Sequence, residues 1–173
     1  MATPAIRVAE PADVPALAEL AKRTWSDAFG DGVGSQDEET ELEEGRSEAF
    51  FAAALGTTTI LVAEEDGALL GYVQFGDVTI PEVDAGPGDR GLQRLYVETA
   101  LQGRGLGRSL LEAALCHPLL AEAKRVYLQV WERNERAVRL YESLGFRKAG
   151  KTTFTVGAEV MEDLVMLLDK ESQ

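Results

Sequence analysis

Six residues, Gln102-Gly103-Arg104-Gly105-Leu106-Gly107, stand between the apolar run Leu92 to Val97 and a segment in which Leu110, Leu111, Ala114 and Leu115 recur at helical spacing. A strand that passes through glycines directly into a helix aims free backbone N–H groups at one point. Those groups and the positive helix end form an anion site. Gly105 and Gly107 let a pyrophosphate approach the main chain with no Cβ in the way. Arg104 and Arg108 add positive charge to a chain whose net charge is −13. Two nucleotide-binding readings fit poorly. A Walker A loop ends in Gly-Lys-Ser/Thr, whereas Gly107 is followed by Arg108-Ser109. A dinucleotide fingerprint needs a glycine where Arg108 stands, and a ribose-binding acid that is not suitably spaced here. On the loop alone, a glycine-rich turn with no ligand stays open.

The elements that must position this loop follow from periodicity. Residues 5–9 alternate like a short strand, and Asp13 followed by Pro15 signals a helix start. Val14, Leu17, Ala21 and Trp25 carry that helix to about Ala28, where Gly30, Gly32 and Gly34 break it. The stretch 31–48 holds eight acids and one base, Arg46, and leads into a second helix with Leu42, Phe50, Ala54 and Leu55 on its apolar face. Thr58 to Glu64 and Leu69 to Phe75 flank Asp66-Gly67 as an antiparallel hairpin. A long loop over 76–91 precedes the strand Leu92 to Val97. After the glycine-rich turn a helix begins near Leu106, its end blurred by Pro118. Val126 to Trp131 is a strand, Asn134 caps a short helix, and Gly145 stops it with Phe146 packing back. Phe154 to Val156 and Leu164 to Leu168 form a last strand pair across Gly157-Ala158. The order describes one α/β domain over residues 1–173 with a mixed sheet.

Composition narrows the partners. A chain of 173 residues, 45% hydrophobic and 27% charged, matches an ordinary globular domain. No apolar run approaches a membrane span, and the N-terminus lacks a signal-peptide pattern, so a cytoplasmic protein is expected. Cys116 is the sole cysteine, which excludes an intrachain disulfide and a cysteine zinc site; no metal is expected. The acidic balance opposes binding to nucleic acid and would attract a cationic small molecule or basic protein.

Two further segments carry a resemblance. Gln102-x-x-Gly105-x-Gly107 resembles motif A of the GNAT superfamily of acetyl-CoA-dependent N-acetyltransferases. Val130-Trp131-Glu132-x-Asn134-x-x-Ala137-x-x-x-Tyr141-x-x-x-Gly145-Phe146 resembles its motif B. Leu92 to Val97, Val130 to Glu135 and Phe154-x-x-Gly157-x-x-x-x-x-Asp163-Leu164-x-Met166 look like the PaiA-type branch, which acetylates spermidine and spermine. The resemblance implies a GNAT-like domain: a twisted, mostly antiparallel sheet flanked by helices, with splayed central strands. It implies acetyl-CoA as cosubstrate, a small cationic amine as acceptor and, since many relatives dimerise through C-terminal strands, a homodimer.

Carried over residue by residue, Leu95, Tyr96 and Val97 would line the pantetheine arm, with the Val97 N–H polarising the thioester carbonyl as an oxyanion donor. Gln102, Gly103, Arg104, Gly105, Leu106, Gly107 and Arg108 would hold the pyrophosphate, and Asn134 would contact the arm. Tyr141 falls where the superfamily places the proton donor for the departing thiolate; a phenol of pKa about 10 is protonated and able to donate at neutral pH. Spacing with Ala137 and Leu144 equally permits Tyr141 a packing role. A base must take a proton from the ammonium form of the acceptor; Glu98, Glu132 or a carboxylate from 37–48 acting through water are the candidates, each equally readable as a surface acid. His117, before Pro118, is read as solvated. Trp25 and Phe29 either line the acceptor pocket or pack in the core. Acetylation of a protein N-terminus, lysine or aminoglycoside, and a coenzyme A-binding regulatory module with little catalysis, remain alternatives.

Overall fold

Alternating residues Ala5–Val8 make the first strand, β1, and a turn of 3-10 helix, Pro11–Asp13, leads into helix α1, Val14–Phe29. Helix α1 starts directly after Asp13, where the Asp13-Pro15 signal places it, and the 3-10 turn ahead of it has a cap of its own. Glu10 is the N-cap and Pro11 the first turn residue, while the Asp13 carboxylate folds back to accept the Glu10 N–H at 2.7 Å. The computed structural model describes residues 3–29, 44–156 and 158–171. Most of the acidic stretch, 31–43, and Leu42 with it, therefore lie outside the described residues. Helix α2 is Glu48–Thr57, its N-cap Ser47 accepting the Phe50 N–H at 3.0 Å.

Strands β2, Thr59–Glu65, and β3, Ala68–Gly76, form the expected hairpin. Its two turn residues, Asp66 (φ 51°) and Gly67 (φ 81°), both take the positive φ that a type I′ turn demands. Strand β4, Asp89–Val97, starts three residues before the apolar run does. There the buried Asp89 carboxylate accepts the Gly86 N–H at 2.9 Å, so side-chain turn chemistry sets the start. Helix α3, Leu106–Cys116, stops before Pro118, which opens a separate short helix α4, Pro118–Ala121. Strand β5, Arg125–Trp131, helix α5, Glu135–Ser143, and strands β6, Arg147–Val156, and β7, Glu159–Asp169, complete the chain. The last two are longer than the apolar runs, because β6 is an end strand that tolerates Lys148, Lys151 and Thr153 on its exposed side.

The seven strands form one mixed sheet in the order β1-β2-β3-β4-β5-β7-β6. β1–β2, β5–β7 and β6–β7 are antiparallel, and β4–β5 is parallel. A parallel pair needs a crossover, which α3 supplies. The parallel ladder runs from Asp89↔Arg125 to Leu92↔Leu128, and both strands continue past it, to Val97 and Trp131.

Backbone contacts divide the chain into two compact units: Met1–Gln74 with Arg94–Ala114, and Phe75–Gln93 with Leu115–Gln173. In the first, Leu17, Leu20 and Ala21 of α1, Phe51 and Ala54 of α2, Ile60 and Val62 of β2 and Tyr72 of β3 make one apolar cluster. In the second, Val126, Leu128 and Val130 alternate as buried residues along β5, matched by Leu164, Met166 and Leu168 of β7 and by Val138 and Tyr141 of α5. None of the described helices is long and apolar enough to cross a membrane.

One glycine in the first unit holds the end of β4 in place. A Cβ on Gly71 would lie 3.0 Å from the Tyr96 carbonyl oxygen, 3.0 Å from Leu110 Cδ1 and 3.3 Å from Val97 Cγ2. Gly71→Ala is expected to destabilise the protein by about 1–3 kcal/mol through overpacking, seen as a lower Tm. An unchanged Tm would show that β4 and α3 yield there without strain.

Candidate active site

In the first unit, β4 ends at Val97, and the Glu98 N–H donates to the Leu70 carbonyl at 2.9 Å, fixing the strand end onto β3. Leu95 and Tyr96 are half-buried and Val97 is buried. The chain then makes a 3-10 turn, Thr99–Leu101, and enters the glycine loop. Gln102 Nε2 reaches back to the Val97 carbonyl at 3.4 Å, tying loop to strand. Gly103 (φ 81°) and Gly105 (φ 87°) both occupy the left-handed region that disfavours any residue with a Cβ. A Cβ built on either meets nothing within 4 Å. Crowding within the protein thus does not require these glycines; backbone conformation does, and the space beside them is open.

Helix α3 starts at Leu106, and Ser109 N–H donates to the Gly105 carbonyl at 3.0 Å. The N–H groups of Leu106 and Gly107 come before that first helical bond, at the positive end of the helix dipole. Arg104 is exposed. Arg108 donates through Nε to Glu112 at 3.0 Å, an exposed i,i+4 pair of small worth that a phosphate could displace. Open space, positive-φ glycines, helix N–H groups and two guanidiniums together fit the pyrophosphate of acetyl-CoA.

Behind Tyr96 the same unit holds a cluster the sequence did not reveal. The Tyr96 ring stacks on Tyr72 at 5.8 Å, and Tyr72 meets the edge of Phe51 at 5.7 Å. Burial pushes the Tyr72 hydroxyl up to about 12. The buried Arg46 guanidinium lies 5.2 Å from the Trp25 ring centroid and 6.0 Å from that of Tyr96. Arg94 lies over Phe50 at 4.3 Å and donates to the Gly45 carbonyl at 2.6 Å. Trp25 is wholly buried, which makes it a core residue capped by a cation; the Phe29 side chain lies outside the described set. The only hint in the sequence was Arg46, a single base amid acids. Glu98, one candidate base, is ion-paired with Arg23, whose Nε donates to its Oε1 at 2.9 Å.

In the second unit, Asn134 is exposed and its Oδ1 accepts the Ala137 N–H at 3.3 Å, so it caps α5 as expected. Tyr141, two turns further on, is 6% exposed and its ring packs against Phe146 at 5.8 Å, with Gly145 at φ 99° making the turn between them. Glu132 faces Lys151 at 3.6 Å, and Lys151 also reaches Glu162 at 3.4 Å. Hydrogen bonding and charge from Glu162, then Glu132, raise the Lys151 pKa. His117 differs from its reading as solvated: it is half-buried, its Nδ1 accepts the Leu119 N–H at 3.2 Å to cap α4, and its ring lies 5.3 Å from Phe75. Cys116 is exposed. Among the described residues no three His, Cys, Asp or Glu side chains converge as metal ligands.

Comparison with known proteins adds to this geometry. The profile of the acetyltransferase (GNAT) family matches residues 14–146. The chain is 35% identical over 97 residues to the spermine/spermidine N(1)-acetyltransferase of Bacillus subtilis, a match over 56% of this chain and 63% of that protein, short of two thirds of its length. It is 31% identical over 157 residues to an uncharacterized N-acetyltransferase of Mycobacterium tuberculosis, over 90% and 96% of the two chains. Its fold is similar to that of the PaiA N-acetyltransferase of Thermoplasma acidophilum crystallised with coenzyme A, at a TM-score of 0.77 and 19% identity over 98% and 99% of the chains.

Proposed function

The chain belongs to the acetyltransferase (GNAT) family, and on that premise we propose that it transfers an acetyl group from acetyl-CoA to a primary amine, a polyamine or another small cationic amine. The observation that carries the reading is the loop before α3, whose glycines at φ 81° and 87° have open space beside them and lead into the helix N-terminus. A net charge of −13 favours a cationic acceptor, and the name of the Bacillus relative points the same way.

Acetyl-CoA supplies the activated acyl group as a thioester. Gln102, Gly103, Arg104, Gly105, Leu106, Gly107 and Arg108 bind its pyrophosphate through backbone N–H groups and positive charge. Main-chain groups of Leu95, Tyr96 and Val97 hold the pantetheine arm, and the Val97 N–H donates to the thioester carbonyl oxygen, where negative charge grows as the amine attacks. Asn134 contacts the arm, the attacking nitrogen releases its proton to water, and the Tyr141 hydroxyl gives its proton to the departing sulfur and recovers one from solvent. The same proposal takes residues 1–173 as one acetyltransferase domain, cytoplasmic and homodimeric.

An amine panel tests it. Purified protein given acetyl-CoA is expected to release free thiol fastest with spermidine or spermine, and more slowly with a lysine peptide, a peptide N-terminus or an aminoglycoside. Faster release with one of the other acceptors would replace the polyamine. Inactivity toward every amine, with acetyl-CoA still bound, would make the chain a binding module.

A further inference from the structure

Two carboxylates suited to an acceptor amine are engaged already, Glu98 by Arg23 and Glu132 by Lys151. A third, Asp163, meets no cation among the described residues. It lies on β7 directly opposite Trp131 of β5 and Thr152 of β6. Such cross-strand partners share one face of the sheet with Cβ atoms about 4.5–5.5 Å apart. Asp163 is 6% exposed. Its Oδ2 accepts from Gln129 Nε2 at 2.7 Å, which fixes the carboxylate plane, while Oδ1 is buried with no hydrogen-bond partner among the described residues. Among those residues Asp163 forms no ion pair, because Lys151 bridges Glu132 and Glu162 instead.

A buried carboxylate oxygen without a partner is rare in native proteins, and each instance calls for a group that completes it. The surroundings specify the charge of that group. Burial first, then the Glu132 charge, hold the Asp163 carboxyl above the usual carboxylate range, while the Gln129 N–H pulls it down. An arriving cation would satisfy Oδ1 and offset the repulsion from Glu132. Thr152 is buried, whereas Trp131 and Glu132 are half-exposed, so of these neighbours those on the β5 side are the more open to solvent.

We propose that Asp163 is the receptor for an alkylammonium group of the acceptor, bound through Oδ1, with Trp131 beside it and Glu132 at its rim. This inference rests on the reading of the chain as an amine acetyltransferase. The group held here is one that stays charged while another nitrogen of the same acceptor reacts. A polyamine has such a second ammonium and a simple monoamine does not.

The discriminating variant is Asp163→Asn, which keeps an acceptor for Gln129 and removes the charge. Its KM for spermidine is expected to rise about tenfold or more, with kcat, the KM for acetyl-CoA and the rate with butylamine little changed. Asp163→Glu should restore part of the spermidine affinity. In wild type, spermidine affinity should fall as acid protonates Asp163, and Asp163→Asn should lack that limb; Glu132 and Glu162, paired with Lys151, persist in both proteins. Calorimetric titration of spermidine into wild type and Asp163→Asn reads the site without turnover. An unchanged spermidine KM and Kd in Asp163→Asn would overturn the inference, as would equal losses for spermidine and butylamine with a lower Tm. Wild type that binds acetyl-CoA but acetylates no amine would instead sink the enzyme reading, and the calorimetric comparison would still decide Asp163.

Discussion

Gly105→Ala is expected to weaken acetyl-CoA binding by about two orders of magnitude while lowering stability by only about 1–2 kcal/mol. Stability falls because φ is 87° there, a conformation costly to any residue with a Cβ. Affinity falls for a different reason: on the proposed reading the new methyl enters open space beside the loop, where nothing of the protein lies within 4 Å and the phosphates would approach. The structure supplies a matched control. Gly67, in the β2–β3 turn, has φ 81° and likewise nothing within 4 Å of a built Cβ. Gly67→Ala should therefore lose a similar amount of stability and bind acetyl-CoA as wild type does. Equilibrium titration with acetyl-CoA and thermal unfolding of both variants separate the two effects. If both variants bind alike, the loop is a tight turn and not a phosphate cradle.

That pair of glycines also marks what could be read in advance. Loop geometry was legible because glycine at positive φ leaves a compositional trace, and the same holds for Asp66-Gly67 and for Gly145. The order of elements followed from periodicity in α1, α3 and β5, where one face is buried. Boundaries failed where side chains rather than hydrophobicity set them. Asp89 starts β4 by accepting from Gly86, and the 3-10 turn ahead of α1 is tied by Glu10 and Asp13; neither leaves an apolar signature. The reach of β6 was hidden because an end strand tolerates lysine and threonine.

Long-range pairings were the least legible part of the site. Arg23 with Glu98 spans 75 positions, and Arg94 with Gly45 spans 49. No local pattern encodes either, yet the first occupies a carboxylate that looked like a base. Asp163 belongs to the PaiA-like pattern, but the hydrogen bond that fixes it comes from Gln129, 34 positions earlier, and has no local signature. Gly71 gave no sign of its closeness to the Tyr96 carbonyl, since nothing adjacent in sequence announces a neighbour two strands' length away.

Tyr141→Phe is expected to cut kcat by about a hundredfold with the KM and Kd for acetyl-CoA nearly unchanged. General acids contribute about 10²–10⁴-fold, and two reference values place this one at the low end. A phenol ionises near pKa 10 and a thiol near about 8.5, so full transfer to the thiolate is uphill by about 1.5 units. A proton donor at Tyr141 would thus stabilise the sulfur as charge develops, but the leaving group is not so basic that reaction stops without it. Phenylalanine keeps the ring that packs on Phe146 at 5.8 Å, so folding should hold to within about 1 kcal/mol. Acceptors that leave C–S cleavage rate-limiting should show the full loss, and those limited by an earlier step a smaller one. Steady-state rates beside a single-turnover measurement give both numbers. A variant with wild-type turnover would return Tyr141 to a packing role on α5 and leave the Val97 N–H as the main source of transition-state stabilisation.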